Sequence, residues 1–265
     1  MMFNNPVTLI EPIIDLAREA AQKILEIYKS DFDINRKHDS TPVTTADLAA
    51  HHCIVDGLKE ITPSIPVLSE ESASIPFSVR KKWQTYWLVD PLDGTREFIK
   101  QNGEFTVNIA LIHNHQPILG VIYVPVSNVC YYGCQSQGAF KLTDDVKKPI
   151  HVNKKRSDNI IIASSRSHAK TSLDQFIEEV GEHELILMGS SLKSCLVAEG
   201  VADIYPRLGL TSEWDTAAAQ CIVEEAGGFI TDLDLNKLRY NTKESLLNPD
   251  FLVFGDNTID WKNYL

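Results

Sequence analysis

An apolar run, Tyr86-Trp87-Leu88-Val89, leads directly into Asp90-Pro91-Leu92-Asp93-Gly94-Thr95. A short apolar run bounded by turn residues reads as a buried strand. Carboxylates at the exit of such a strand are costly unless they are paired or coordinate a metal. The fold must therefore supply compensating charge at this point, and acids crowded on one tight turn suit a hard cation with oxygen ligands, magnesium above all. Gly94 lets the backbone approach a ligand, and the Thr95 hydroxyl could bond a nucleophilic water. The run reads as a magnesium-dependent phosphoryl-transfer or hydrolysis site. Asp, Pro, Gly and Thr are also the residues of an ordinary solvated turn, so other parts of the chain must decide.

Three further acidic features do so. Glu70-Glu71 follows the short apolar pair Val67-Leu68, Asp47 stands in Thr44-Thr45-Ala46-Asp47 at a helix start, and Asp215 stands in Trp214-Asp215-Thr216 at another. Each has a bland explanation alone, as a first-turn acid favoured by the helix dipole or as a cap. Four acidic sites at element ends beside apolar strands fit a multinuclear magnesium centre better.

Residues 6–29 carry apolar residues at helical spacing, and a second helix starts at Thr44 or Thr45 and ends near Ile61, before Pro63. Residues 34–45 read as a loop. Strands are expected at 86–89, 105–112, 117–124, 128–134 and 138–142, and residues 143–158 read as a polar connection or hinge. The second half alternates strands (160–163, 185–188, 203–206, 229–232, 251–254) with helices (171–180, 190–200, 214–226). This is layered α/β with two sheets, one mainly antiparallel. With 265 residues, the expectation is a single catalytic domain over 1–265, with a metal-site half (1–150) and a substrate-recognition half (151–265).

A net charge of −11 argues against nucleic acid or an anionic membrane surface as a partner. It is compatible with an anionic substrate if ions neutralise some carboxylates. No apolar run reaches the ~18 residues of a membrane span, so any membrane association would be peripheral. The five cysteines are odd in number and lie mostly in apolar stretches, which points to a reducing cytoplasm. Oligomeric state stays open between monomer and homodimer.

The segments around Asp47, Ser69-Glu70-Glu71-Ser72, Asp90–Thr95 and Trp214-Asp215-Thr216-Ala217-Ala218 together resemble the signatures of the inositol monophosphatase superfamily, whose members are lithium-sensitive, magnesium-dependent phosphatases. The resemblance runs from about residue 9 to 255 and implies an α/β (α+β) fold, a layered αβαβα sandwich. Within the superfamily, Thr95–Lys100, Asn102–Asn108, Ser165-Arg166-Ser167-His168, Gly189–Lys193, Val197–Gly200 and Ala202–Arg207 resemble the 3′(2′),5′-bisphosphate nucleotidases.

The resemblance implies two to three magnesium ions. Glu70, Asp90 and the Leu92 carbonyl would hold one; Asp90, Asp93 and Asp215 a second; and Glu70, through waters, a weaker third. Asp47 and Thr95 would be the pair that activates water, with Glu71 as an ordering or merely structural acid. Gly94 and Thr95 would hold phosphate oxygens through their N–H groups. Glu70, Leu92, Asp93 and Asp215 would also face the substrate. Lys193, with Ser190 and Ser191, would take the 5′-phosphate unless it is an exposed helix lysine. Arg166 and His168 would contact the nucleotide, and Glu213 a sugar hydroxyl. Arg207 could equally be a structural ion-pair partner. The implied reaction is hydrolysis of adenosine 3′,5′-bisphosphate to AMP and phosphate, extending to 3′-phosphoadenylyl sulfate and serving sulfur metabolism. The alternatives are an inositol or sugar-alcohol monophosphatase on the same fold and a noncatalytic magnesium-dependent binding or regulatory protein.

Overall fold

The computed structural model describes residues 5–29, 34–36, 42–154, 159–166 and 172–265. After a 3₁₀ turn, Pro6–Leu9, capped by the Asn5 side chain, comes α1 (Ile10–Tyr28). Its residues Ile13, Ile14, Ala17, Ala20, Ala21 and Ile24 are buried, the one-sided stripe expected of a helix laid on a sheet. β1 (Ile34–Arg36) and β2 (Pro42–Thr44) pair antiparallel where the sequence reads as loop; three residues are too few to show a period. α2 (Thr45–Ile61) follows.

The larger sheet has seven strands that lie side by side in chain order. They are β3 (Val67–Ser69), β4 (Thr85–Asp93), β5 (Thr106–His113), β6 (Gln116–Val124), β7 (Val129–Cys134), β8 (Gly138–Thr143) and β9 (Val146–Ile150). β3 and β4 are parallel and the later pairs antiparallel. Short helices α3 (Phe77–Arg80) and α4 (Thr95–Ile99) flank β4. β9 replaces much of the expected polar connection over 143–158. It is an edge strand, mostly exposed, so lysines and Pro149 are tolerated there and suppress the apolar alternation that marks a strand.

The second sheet runs β11-β10-β12-β14-β13, from β10 (Ile160–Ser164), β11 (His183–Leu187), β12 (Ile204–Arg207), β13 (Phe229–Asp232) and β14 (Phe251–Phe254). Its helices are α5 (Ser172–Val180), α6 (Leu192–Ala198) and α7 (Glu213–Glu225).

The apolar strands are continuous because the large sheet is covered on both faces. In β4, Trp87 and Val89 enter the core beneath α1 and α2, while Tyr86 and Leu88 enter the core shared with α6 and α7. A third cluster, with Phe176 and Trp261, lies around Ile160, Ile162 and Leu252 of the smaller sheet. The layering is the αβαβα order implied by the sequence resemblance.

The close seat of α7 has a steric basis. A Cβ on Gly120 would lie 2.4 Å from the Ala218 carbonyl oxygen, and one on Gly133 would lie 2.9 Å from Ile222 Cα. Both obstacles are helix backbone, so no rotamer relieves them. Gly120→Ala is therefore expected to cost about 2 kcal/mol and to lower the melting temperature by about 5 °C. A thermal melt matching the parent would show that α7 can move outward without loss.

Candidate active site

β4 does not stop at Val89 as the apolar run suggests. It continues to Asp93, with a register shift against β5 between Asp90 and Asp93. Pro91 lacks a donor for the ladder, and a bulge is where a strand tolerates it. The bulge re-aims the acids. Asp90 Oδ1 accepts from the Leu92 N–H at 3.1 Å, and Gly94, at φ 92°, turns the chain into α4.

Asp215 arrives from the far side, on the first turn of α7, where its carboxylate accepts from the Ser212 N–H at 2.9 Å in a capping box. Asp90, Asp93 and Asp215 each offer an oxygen, all within 4.8 Å of one another. Asp90 is 1% exposed. Loss of hydration pushes its pKa well up, and Glu70, Asp93, Asp215 and Asp47 push it further. Burial and the Asp93 charge likewise push Asp215 up to about 8. Without a counter-ion these acids are held together against their mutual repulsion. The donor set is all oxygen, which suits a hard divalent cation.

The acids open onto a cavity of about 370 Å³ lined by both sheets, with Glu70, Leu92, Gly94, Thr95, Ser190, Lys193 and Arg166 in its wall. Glu70 follows β3 in a 3₁₀ turn. Asp47 lies on the first turn of α2 and is 2% exposed. Thr95 Oγ1 lies 3.4 Å from the Leu92 carbonyl. Glu71 is not among the cavity-lining residues; its charge acts on His51. His168 lies outside the described residues.

Several expectations about the substrate wall change. Lys193 is not an exposed helix lysine. It is 5% exposed, and its ammonium donates to the Ser190 carbonyl and, at 3.4 Å, to that of Met188. Burial lowers its pKa to about 8. Ser191 turns toward the acids: its N–H donates to Asp93 Oδ2 at 2.6 Å, and its hydroxyl lies 2.7 Å from the same oxygen. Ser190, beside it, takes a positive φ of 45°. Arg166 forms a two-pronged ion pair with Glu104, with Nη2 2.7 Å from Oε1. Glu213 does not reach the cavity as expected. Its carboxylate is buried and accepts from the Asn241 N–H at 2.8 Å. Helical geometry explains this, since Glu213 and Asp215 are two positions apart and point to different faces. Arg207 Nη2 donates to the Leu210 carbonyl at 3.0 Å, and both line the cavity.

Two residues of the Asn102–Asn108 stretch, to which the sequence alone assigns no role, brace the acids. Thr106 and Asn108 donate to Asp93 Oδ2, each at 3.4 Å, and Asn108 also donates to the Ser191 hydroxyl at 2.9 Å. Two polar residues on one face of an otherwise apolar strand were the available signal.

Comparison with known proteins agrees with this geometry. The family model described as "Inositol monophosphatase family" matches residues 5–256. The chain is 49% identical over 247 residues to the "3'(2'),5'-bisphosphate nucleotidase CysQ" of Salmonella typhimurium, covering 92% of this chain and 99% of that one. It has the same identity and coverage with the protein of that name from Escherichia coli strain K12. The crystal structure of CysQ from Bacteroides thetaiotaomicron, described as a bacterial member of the inositol monophosphatase family, superposes with a TM-score of 0.81 at 43% identity, covering 94% of this chain and 98% of that one. The chain thus belongs to the inositol monophosphatase family, in the branch formed by the CysQ-type 3′(2′),5′-bisphosphate nucleotidases.

Proposed function

We propose that the protein hydrolyses the 3′-phosphate of adenosine 3′,5′-bisphosphate, giving AMP and phosphate in a magnesium-dependent reaction, and that 3′-phosphoadenylyl sulfate is a second substrate. The observation that carries this reading is the convergence of Asp90, Asp93 and Asp215 at the floor of a cavity whose other wall is the Gly189–Lys193 turn. The names of the nucleotidase relatives support it.

Two to three magnesium ions fit the donors. Glu70, Asp90 and the Leu92 carbonyl would hold one, with Glu70 also near a third through waters. Asp90, Asp93 and Asp215 would hold another. The protein donors on Asp93 converge on Oδ2, which offers Oδ1 to an ion. Bound there, magnesium supplies Lewis-acid charge to the phosphoryl oxygens and lowers the pKa of a water. The remaining chemistry falls to the chain. Thr95 would orient the attacking water through its hydroxyl, with Asp47 accepting a hydrogen bond from that hydroxyl so that its oxygen can accept from the water. The N–H groups of Gly94 and Thr95 hold equatorial oxygens of the phosphoryl group. Lys193 and Ser190 stand where a second phosphate would lie. Both halves of the chain, 1–150 and 151–265, act as one catalytic unit.

No helix among the described residues is long and apolar enough to cross a membrane, and we place the enzyme in the cytoplasm, where it would clear a by-product of sulfur metabolism. The test is phosphate release with saturating magnesium. The kcat/KM for adenosine 3′,5′-bisphosphate is expected to exceed that for inositol 1-phosphate at least about tenfold. Preference for the inositol ester would move the protein to the sugar-alcohol phosphatases, and no release from either would favour a binding protein.

A further inference from the structure

Glu104 lies at the seam where the Gly94–Thr95 turn and the Gly189–Lys193 turn meet in the cavity wall, a Cβ on Gly94 lying 3.2 Å from Ser190 Cβ. Its chain position is just before β5, in a loop that Asn102 stiffens by accepting from the Glu104 N–H at 3.0 Å. The Glu104 backbone is pressed by both turns. A Cβ on Gly94 would meet the Glu104 carbonyl oxygen at 3.1 Å, and one on Gly189 would meet it at 2.7 Å. The Glu104 carboxylate is only 15% exposed and completes the seam. Oε2 accepts from the Gly189 N–H at 2.8 Å, and Arg166 grips both oxygens with Nε and Nη2 at 2.7–3.1 Å. Burial alone would raise the carboxyl's pKa, but the Arg166 and Gly189 hydrogen bonds prevail and hold it below the ordinary range.

These contacts join segments far apart in the sequence, and none serves an α-helix or sheet ladder. They fix the one backbone amide from which the Gly189–Lys193 turn departs. Downstream, that turn presents Ser190, the Ser191 N–H on Asp93, and the buried Lys193 ammonium. Arg166, with its guanidinium committed to a two-pronged carboxylate contact, already has its charge satisfied.

We propose that Glu104 is a positioning residue that clamps the Gly189–Lys193 turn to the Gly94–Thr95 turn at the separation a two-phosphate substrate needs, with Arg166 as its counter-cation rather than a ligand of the substrate. The substrate part of this inference rests on the nucleotidase reading; the clamp itself does not. Glu104 touches no reacting atom, so its removal misplaces one phosphate site relative to the other. The effect falls on KM for a substrate that spans both sites and spares a monoester that uses one.

The test combines kinetics with hydrogen exchange. Glu104→Ala is expected to raise KM for adenosine 3′,5′-bisphosphate about tenfold, with kcat within about twofold and KM for 3′-AMP within about threefold. Glu104→Gln keeps an acceptor for the Gly189 N–H and is expected to recover most of the loss. Arg166→Ala should raise KM by about threefold, and the double variant should be no worse than Glu104→Ala alone, because both act through one contact. Arg166→Ala exceeding Glu104→Ala, or losses that multiply in the double variant, would make Arg166 a direct substrate ligand and overturn the proposal. Exchange of the segment 186–193, followed without substrate, should accelerate in Glu104→Ala and stay slow in Glu104→Gln. Unchanged exchange in Glu104→Ala would remove the clamp. That arm reads the same whether or not the bisphosphate is the substrate.

Discussion

An Asp90→Asn protein is expected to lose turnover by about 10³-fold or more, yet to melt no lower than the parent when divalent ions are removed. The two halves of this result have one origin. Asp90 is the most enclosed of the clustered acids, and Glu70, Asp93, Asp215 and Asp47 all act to disfavour its charge. In the metal-free protein the Asp90 carboxylate is therefore a burden, since its desolvation is not repaid by a cation. Asparagine has nearly the same shape and retains an oxygen to accept from the Leu92 N–H, the 3.1 Å contact that sets the bulge. Removing the charge relieves repulsion and leaves the strand intact. In the proposed magnesium-loaded enzyme, the same charge would help hold the ions, and its loss would remove part of the attraction that offsets the repulsion among the acids. Magnesium should accordingly raise the melting temperature of the parent much more than that of Asp90→Asn. Turnover within tenfold of the parent at saturating magnesium would end the ligand role. A metal-free variant that melts well below the parent would show that the carboxylate is a structural hydrogen-bonding group instead.

The layered architecture was legible because it depends on periodicity over long windows. The stripe of α1 and the unbroken apolar strands β4, β5 and β6 each have enough residues to declare both type and degree of burial. The strands that escaped were β1 and β2, each three residues long and too short to show a period, and β9, an edge strand whose exposure permits residues that hide the pattern. The acids were legible for a different reason. A carboxylate beside an apolar strand is costly, so its presence signals compensation wherever it occurs. What sequence could not supply was direction. Glu213 and Asp215 are neighbours in the chain, but α7 sends one to the cavity and the other to Asn241. Lys193, the residue expected to take a phosphate, does line the cavity, but its ammonium is buried against backbone carbonyls near the bend at Ser190, which spacing alone does not show. Arg166 lines the cavity, as a ligand for anions would, but its ion pair with Glu104, 62 residues away, could not be read from the sequence.

Lowering the pH from about 8 to about 6.5 is expected to stabilise the metal-free protein, raising its melting temperature by about 5–10 °C. The sign follows from the buried acids. Asp90 is pushed well above the ordinary carboxylate range, Asp215 up to about 8 and Glu213 up to about 7, all chiefly by burial. In the unfolded chain these groups titrate near pH 4. Across the window the folded state therefore binds more protons than the unfolded state, and stability falls as the pH rises toward the folded values. Two other groups bound the window. Lys193, lowered to about 8, is charged in both states below that pH and adds a slope only above it. His51, whose pKa burial lowers, binds protons less readily folded than unfolded and opposes the trend at the acid end of the window. Saturating magnesium should flatten the dependence, because an ion holds Asp90 and Asp215 ionised at every pH in the range and leaves Glu213 as the main contributor. The same linkage requires magnesium binding near pH 7 to release protons, measurable as a dependence of the binding heat on buffer ionisation enthalpy. A metal-free melting temperature that is flat or rises between pH 6.5 and 8, together with proton-silent magnesium binding, would mean that the three aspartates do not share one unscreened cluster.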